Sequence, residues 1–152
     1  MLRRLFARTS ARTFVLYPLC VIAFELLWRR GQLVFVPWGL PLLAWGYLQF
    51  VLIGQYRTRL GGGGPGIAVS PDRLVAEGPY RYTRNPMYLG HLIFLFGLAI
   101  TFWSLLGLVI FLVHVVWFQR RVLEDEARLQ KLFGAPYDDY RARVKRWIPG
   151  VI

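Results

Sequence analysis

The chain has 152 residues, enough for one domain, and 56% of them are hydrophobic, with a mean hydropathy of +0.42. This apolar content exceeds that of ordinary soluble domains, and the single cysteine, Cys20, excludes an internal disulfide. The net charge is +11, but the basic residues flank apolar runs, which indicates membrane orientation rather than nucleic-acid binding. We therefore expect an integral membrane protein with membrane lipids and no nucleic acid as partners. Its oligomeric state stays open.

Two apolar runs predict the first two membrane spans, over residues 13–28 and 33–53. The first run is short for the roughly 20 residues that a span needs. We interpret it as an uncleaved anchor, because no small-residue cleavage site follows it. Glu25 lies four residues before Arg29, so a helical ion pair is expected near the end of this span.

A third apolar run, residues 87–118, predicts a hairpin of two spans. As one helix of about 32 residues, at ~1.5 Å per residue, it would be about 48 Å long, whereas the hydrocarbon layer is about 30 Å thick. A break at residues 101–104 avoids this mismatch and places Trp103 at the far interface. Four spans then put three basic segments on one side, namely the N-terminus with Arg3, Arg4 and Arg8, the loop 54–86 and the tail. We therefore expect both termini to be cytoplasmic.

The loop 54–86 and the tail carry further structural signals. The glycine-rich stretch 61–66 predicts a flexible linker, because no Lys-Ser/Thr of a phosphate-binding loop accompanies it. Gly134 is typical of the residue that follows a helix, and Ala135-Pro136 then opens a second short helix. This helix has a predicted stripe of Tyr137, Tyr140, Val144 and Trp147 and is predicted to stop at Pro149. Both helices are expected on the cytoplasmic membrane face.

Two polar clusters flank the predicted hairpin. The first, residues 78–90, combines three tyrosines with two arginines, and Asn85 followed by Pro86 suits a helix start. The second, residues 120–126, holds three acidic residues, and Arg121 shares a helix face with Asp125. An aromatic belt and a salt-bridged helix start would explain each cluster alone. Because the hairpin brings the two clusters to neighbouring helix ends, we favour a binding site.

These clusters resemble the signature of the isoprenylcysteine carboxyl methyltransferase and phospholipid methyltransferase superfamily. The first motif reads Leu74-Val75, Gly78-Pro79-Tyr80 and Arg84-Asn85-Pro86-Met87-Tyr88-Leu89-Gly90. The second reads Arg121, Asp125-Glu126, Leu129, Phe133-Gly134, Tyr137-Asp138-Asp139-Tyr140 and Pro149. Together the motifs cover roughly residues 70–150.

The resemblance implies an all-α membrane bundle of about four transmembrane helices with cytoplasmic C-terminal helices. It implies one methyltransferase domain over residues 1–152, with N-terminal spans and a glycine-rich loop in 1–69 and the cofactor-binding catalytic region in 70–152. The implied cofactor is S-adenosylmethionine, which leaves as S-adenosylhomocysteine. The positions implied to contact it are Asp72, Arg73, Leu74, Val75, Tyr80, Asn85, Pro86, Met87, Tyr88, Asp125 and Glu126.

Catalysis is implied to involve Arg121 and Glu126, with Arg121 orienting the acceptor. A carboxylate acceptor is already ionised and needs orientation, which suits the planar fork of an arginine. An amine or alcohol acceptor would need a base, for which Glu126 is the best candidate. Asp125 stands where the family has glutamate, so the sequence leaves open which acid contacts the cofactor.

His91, one turn after Tyr88, is a candidate substrate-binding residue, and interhelical hydrogen bonding is the alternative for it and for His114. No metal site is predicted, because no third ligand accompanies the two histidines. The acceptor is expected to be lipid-like, of the isoprenylcysteine carboxylate type. The alternatives are phospholipid amine N-methylation, an NADPH-dependent reductase that uses Arg57 and Arg59, and a non-catalytic membrane protein.

Overall fold

The computed structural model describes residues 9–64, 66–67 and 69–147, and every regular element within them is helical, as the predicted all-α class requires. Arg3, Arg4, Arg8 and Pro149, used in the sequence analysis, lie outside this part. The helices are α1 (Thr9–Trp28, with a π-helical turn at Arg12–Leu16), α2 (Leu40–Gly61), α3 (Pro86–Thr101), α4 (Leu105–Phe133) and α5 (Ala135–Arg143). Short 3₁₀ turns occupy Pro37–Gly39 and Gly78–Arg81.

Two helices, α1 and α4, are long and apolar enough to cross a membrane, whereas α3 is apolar but has only 16 residues. The 29 residues of α4, at ~1.5 Å each, make a helix of about 44 Å. A hydrocarbon layer of about 30 Å takes up only about 20 of them. We therefore expect the charged end of α4, from about Asp125 onward, to extend beyond the layer. The count of four spans stays a prediction.

The chain folds into two compact units. The first contains the chain up to Leu48 together with Gly90–Val116, and the second contains Gln49–Leu89 together with the chain from Trp117 onward. Each unit draws on both predicted regions, 1–69 and 70–152. Sequence neighbours within one helix can therefore belong to different units.

The predicted break at residues 101–104 is confirmed in the first unit. Helix α3 ends at Thr101 and α4 begins at Leu105. Between them, Trp103 has a φ of +45°, in the left-handed region that side-chain-bearing residues rarely adopt. The hydroxyl of Ser104 accepts a hydrogen bond of 3.1 Å from the backbone N–H of Gly107, which satisfies a free donor in the first turn of α4.

The predicted pair of Glu25 and Arg29 is also confirmed, at 2.6 Å between Oε2 and Nε. Arg29 donates a second hydrogen bond, of 3.1 Å, to the carbonyl oxygen of Trp103. The pair therefore links the end of α1 to the turn between α3 and α4.

Glycines allow α2 and α3 to approach each other closely within the first unit. A Cβ atom at Gly46 would lie 2.5 Å from the backbone nitrogen of Phe94 and 2.6 Å from the carbonyl oxygen of Gly90. A Cβ atom at Gly97 would lie 2.8 Å from that of Leu42. Small residues at such crossings let helix backbones touch, which is a main source of packing energy between helices in lipid.

The substitution Gly46→Ala should lower the thermal stability of the detergent-solubilised protein. The added methyl group would clash with backbone atoms of α3, which cannot move aside as a side chain can. Overpacking of this kind costs about 1–3 kcal/mol. The control is Ala44→Ser on the same helix, where the side chain is exposed. Equal melting temperatures for the two variants would contradict the close approach.

In the second unit, α4 ends at Phe133, Gly134 has a φ of +59°, and α5 opens at Ala135, all as predicted. The predicted continuation of α5 is wrong. The helix ends at Arg143, and Val144 is extended, with φ −114° and ψ 131°. The predicted stripe therefore loses its helical spacing after Tyr140.

Hydrogen bonds to residues 83–85 explain this early end. The backbone N–H of Arg84 donates to the carbonyl oxygen of Lys145 at 3.0 Å. The hydroxyl of Thr83 donates to the carbonyl oxygen of Arg146 at 2.9 Å. The guanidinium of Arg84 donates to the carbonyl oxygens of Arg141 and Val144, both at 2.9 Å. These bonds satisfy carbonyl groups at the end of α5 and favour an extended chain over a further helical turn.

Candidate functional site

One pocket within the second unit contains most of the predicted site residues. The space between its lining residues is about 690 Å³ when the solvent in its open mouth is included. Its lining consists of Arg57, Ile67, Val69, Ser70, Pro71, Leu74, Val75, Tyr80, Arg84, Asn85, Pro86, Met87, Tyr88, Asp125, Glu126, Arg128, Leu129, Tyr137 and Tyr140. Aromatic and aliphatic side chains thus surround a few charged groups, as in many ligand sites.

Local folding explains how each segment reaches the pocket. The 3₁₀ turn Gly78–Arg81 places Tyr80, and the first turn of α3, which begins at Pro86 as predicted, contributes residues 86–88. Asp125 and Leu129 are four residues apart on α4 and share a helix face.

Asp125 contacts one tyrosine and two arginines. The hydroxyl of Tyr88 donates a short hydrogen bond to its Oδ2. Its Oδ1 lies 2.5 Å from Nη2 of Arg128 and 3.8 Å from Nε of Arg121. The predicted pairing of Arg121 with Asp125 is therefore confirmed, and Asp125 is 8% exposed.

Glu126 is held between two arginines. Its Oε1 accepts from Nη2 and Nε of Arg84 at 2.9 and 3.1 Å and from Nε of Arg146 at 3.0 Å. Its Oε2 accepts from Nη2 of Arg146 at 2.9 Å. Arg84 and Arg146 belong to the two segments that end α5, so this carboxylate joins them to α4. We call the three residues the Glu126 clamp.

The clamp determines the protonation of Glu126. Burial acts to raise the pKa of this carboxyl group, but the hydrogen bond from Arg146 and the charges of Arg84 and Arg146 outweigh it and hold the pKa below its usual value. An acid with a lowered pKa is ionised at neutral pH and is a weak proton acceptor.

The tyrosines of the pocket are hydrogen-bond donors at neutral pH. Burial raises the pKa of Tyr80 and of Tyr137 to about 12. The hydroxyl of Tyr140 donates to the carbonyl oxygen of Tyr80 at 2.8 Å and so fixes the 3₁₀ turn against α5. The ring faces of these tyrosines suit a cationic or planar ligand.

Described glycines of the segment 61–66, which is predicted as a flexible linker, take part in hydrogen bonds with two charged side chains. Nη2 of Arg57 donates to the carbonyl oxygens of Gly64 and Gly66, both at 2.6 Å. The carboxylate of Asp72 accepts from the backbone N–H of Gly63 at 2.9 Å, where the left-handed φ of +68° suits glycine. Asp72 thus contributes to the shape of this turn.

Four of the predicted site residues lie elsewhere than in the lining. Asp72 and Arg73 are exposed, and their backbone N–H groups donate to the carbonyl oxygen of Gly61. Arg121 has a one-third exposed side chain that contacts Asp125 and the Tyr88 hydroxyl. His91 belongs to the first unit, where it is fully buried with its ring 4.8 Å from that of Phe14.

Sequence reasoning missed several lining or supporting residues: Arg57, Arg84, Arg128, Tyr137, Tyr140 and Arg146. Arg84 and the two tyrosines stand inside the quoted motifs, so the motif itself was the available signal. Nothing in the sequence indicates that the chain around Arg146 returns to residues 83–85.

The fold and the pocket define a helical protein with a small-molecule site. Residues 48–136 match the family described as phospholipid methyltransferase. This match covers more than half of the chain, so the chain belongs to the phospholipid methyltransferase family. The family and the two apolar helices together support membrane association.

Individual relatives extend the comparison. The protein-S-isoprenylcysteine O-methyltransferase of Schizosaccharomyces pombe is 35% identical over 78 residues, which is 50% of this chain and 33% of the relative. The protein-S-isoprenylcysteine O-methyltransferase B of Arabidopsis thaliana is 36% identical over 81 residues, which is 52% of this chain and 41% of the relative. The protein-S-isoprenylcysteine O-methyltransferase of Saccharomyces cerevisiae is 36% identical over 78 residues, which is 50% of this chain and 32% of the relative. The matched region spans only about a third to two fifths of these relatives, and no solved structure gives a significant match.

The Glu126 clamp leads to a stability prediction. The substitution Glu126→Gln leaves two arginines without a carboxylate, and loss of one partner of a buried pair costs about 3–5 kcal/mol. We therefore expect a clearly lower melting temperature at pH 7. The control is Glu124→Gln on the same helix, where the side chain is 69% exposed.

The same comparison has a pH dependence with a definite sign. Because the folded-state pKa of Glu126 lies below the usual 4.5, its stabilising contribution is complete above that value and is lost as the pH falls below it. The difference in melting temperature between wild type and Glu126→Gln should therefore shrink between pH 5 and pH 3. A difference that stays constant would contradict the clamp.

Proposed function

We propose that this chain is a membrane methyltransferase that uses S-adenosylmethionine and acts on a lipid-like acceptor. The observation that supports it most is the shared pocket, in which Tyr80, Tyr88 and Asp125 come together from separate segments of the family motif. The family membership and the relatives' names point to the same chemistry.

The residues of the pocket fit the methyl donor. Its sulfonium and ammonium are cationic, and the ring faces of Tyr80 and Tyr88 and the carboxylate of Asp125 would attract them. Asn85 has a donor and an acceptor for a purine edge, and Met87 supplies apolar contact. When bound, the donor supplies an electrophilic methyl carbon: a nucleophilic oxygen bonds to it while the carbon–sulfur bond breaks and leaves its electron pair on sulfur.

The contacts support different roles for the two adjacent acids. Both oxygens of Glu126 are occupied by Arg84 and Arg146, which favours a positioning role for this residue. Asp125 also has a contact on each oxygen, from Tyr88 and Arg128, but its arginine partners are more exposed than Arg84, which favours Asp125 as the acid that contacts the donor. This assignment would leave no base for proton removal at Glu126 and so supports an acceptor that is already ionised.

A carboxylate acceptor of the isoprenylcysteine type fits this set of groups. Such an acceptor needs alignment and exclusion of water rather than a base. Arg121 is one-third exposed beside the pocket, and its guanidinium is able to bind a carboxylate through two hydrogen bonds. The relatives that match are named for O-methylation of isoprenylcysteine, which is the same class of acceptor.

The topology is part of the proposal. Four spans with both termini on the cytoplasmic side would place the polar end of α4 and the pocket at the cytoplasmic surface, within reach of a lipid-borne acceptor. The excess of arginine and lysine in the tail supports this orientation.

The substitution Arg121→Ala should abolish methyl transfer, with kcat reduced by about 100-fold or more, while S-adenosylhomocysteine still binds. The reason is that a lost bidentate contact misaligns the acceptor without removing the donor's contacts. Single-turnover transfer and calorimetry measure the two properties separately, and Arg120→Ala, at an exposed neighbour, is the control. Loss of donor binding in Arg121→Ala would contradict this role.

The class of acceptor is tested with methyl-labelled S-adenosylmethionine offered to prenylcysteine carboxylates and to phospholipid amines. A carboxylate acceptor predicts a base-labile methyl ester and a rate that is flat from pH 6 to 9, because no proton is removed. A base-stable labelled amine would favour the phospholipid alternative. Calorimetric binding of NADPH, with none of S-adenosylmethionine or S-adenosylhomocysteine, would favour the reductase.

A further inference from the structure

Arg57 is a buried cation without a counter-ion. Its side chain lines the pocket and is 8% exposed. The ion pairs of the described residues involve other arginines, and none of them includes Arg57. Burying a charge is costly unless a partner of opposite charge compensates it.

The hydrogen bonds of Arg57 account for only part of its guanidinium. An arginine has five N–H donors. Nη2 donates to the carbonyl oxygens of Gly64 and Gly66, whereas Nε is buried and has no protein partner among the described residues. Buried polar groups are nearly always satisfied, so the incomplete pairing of Arg57, a residue that lines the pocket, favours an acceptor atom on the pocket's ligand.

The charge of the pocket leads to the same conclusion. Its lining contains three arginines and two carboxylates. Arg84 pairs with Glu126 and Arg128 pairs with Asp125. Among the lining residues the remaining positive charge is that of Arg57, and an anionic group on the occupant would balance it.

We propose that Arg57 binds the carboxylate of the pocket's ligand, and that this carboxylate is the one on the amino-acid end of the methyl donor. The inference rests on the proposed function. An amino-acid end is a zwitterion, and the same pocket contains the carboxylate of Asp125 for its ammonium. The two carbonyl groups on Nη2 hold the guanidinium in one orientation, so little further entropy is lost on binding.

A carboxylate could also come from the acceptor, and the experiment distinguishes the two sources. Calorimetry on the detergent-solubilised full chain compares S-adenosylhomocysteine with S-adenosyl-3-thiopropylamine, which is the same molecule without the carboxylate. We expect wild type to bind the first at least about tenfold more tightly, since hydrogen bonds between charged groups are worth this much or more.

The variant Arg57→Gln should weaken binding of S-adenosylhomocysteine about tenfold or more and leave the affinity for the decarboxylated analogue unchanged. Arg59→Gln is the matched control, because it removes the same charge from an exposed position two residues along α2. Arg57→Lys keeps the cation and should fall between wild type and Arg57→Gln. If Arg57→Gln does not fold, the proposal is tested by two other measurements. These are the wild-type preference for S-adenosylhomocysteine over the decarboxylated analogue and the affinity of Arg57→Lys for both ligands.

Each other outcome overturns a specific statement. Equal affinity of wild type for the two ligands, or equal weakening of both in Arg57→Gln, overturns the role of Arg57 and leaves the proposed function standing. If Arg57→Gln raises the KM for the acceptor and leaves the affinity for S-adenosylhomocysteine unchanged, Arg57 binds the acceptor, and the proposal that it binds the donor is overturned. Failure of wild type to bind S-adenosylmethionine and S-adenosylhomocysteine overturns the proposed function itself.

Discussion

The second unit depends on the burial of one carboxylate between two arginines. Glu126 is 5% exposed, and a charge at that depth is tolerated only because Arg84 and Arg146 supply four hydrogen bonds of 2.9–3.1 Å. The three residues come from three parts of the chain, which are held together as a result. The early end of α5 and the extended segment at residues 144–146 both follow from this arrangement.

The clamp also separates the roles of two neighbouring acids. Consecutive residues on a helix point about 100° apart, so Asp125 and Glu126 meet different partners although both line the same pocket. The oxygens of Glu126 accept from arginines that hold the end of α5, whereas Asp125 contacts Tyr88, Arg121 and Arg128. In the proposed function, Glu126 therefore stabilises the walls of the pocket and Asp125 binds the ligand.

Arg57 connects the glycine-rich segment with the pocket, because it lines the pocket and donates to carbonyl oxygens of that segment. Four glycines in a row have little tendency to order. Here Arg57 and Asp72 hydrogen-bond to backbone groups of the segment, and no ion pair among the described residues includes Arg57. An ordered turn and an unbalanced positive charge are consequences of the same residue.

Much of the fold and part of the site could be predicted from the sequence. Apolar runs, Gly134 and the length limit of the bilayer predict the helix ends at Thr101, Leu105 and Phe133, because these signals are local. The motif predicts nine of the residues that line the pocket: Leu74, Val75, Tyr80, Asn85, Pro86, Met87, Tyr88, Asp125 and Glu126.

The tertiary structure alone decided which side chains pair. The end of α5 at Arg143, the two arginines on Glu126 and the isolation of Arg57 arise from contacts between residues far apart in sequence. Periodicity carries no information about such contacts, since a side chain's partner depends on how distant segments pack. The sequence by itself therefore determined most helix ends and the family, and the packing of the second unit determined which groups each charged residue contacts.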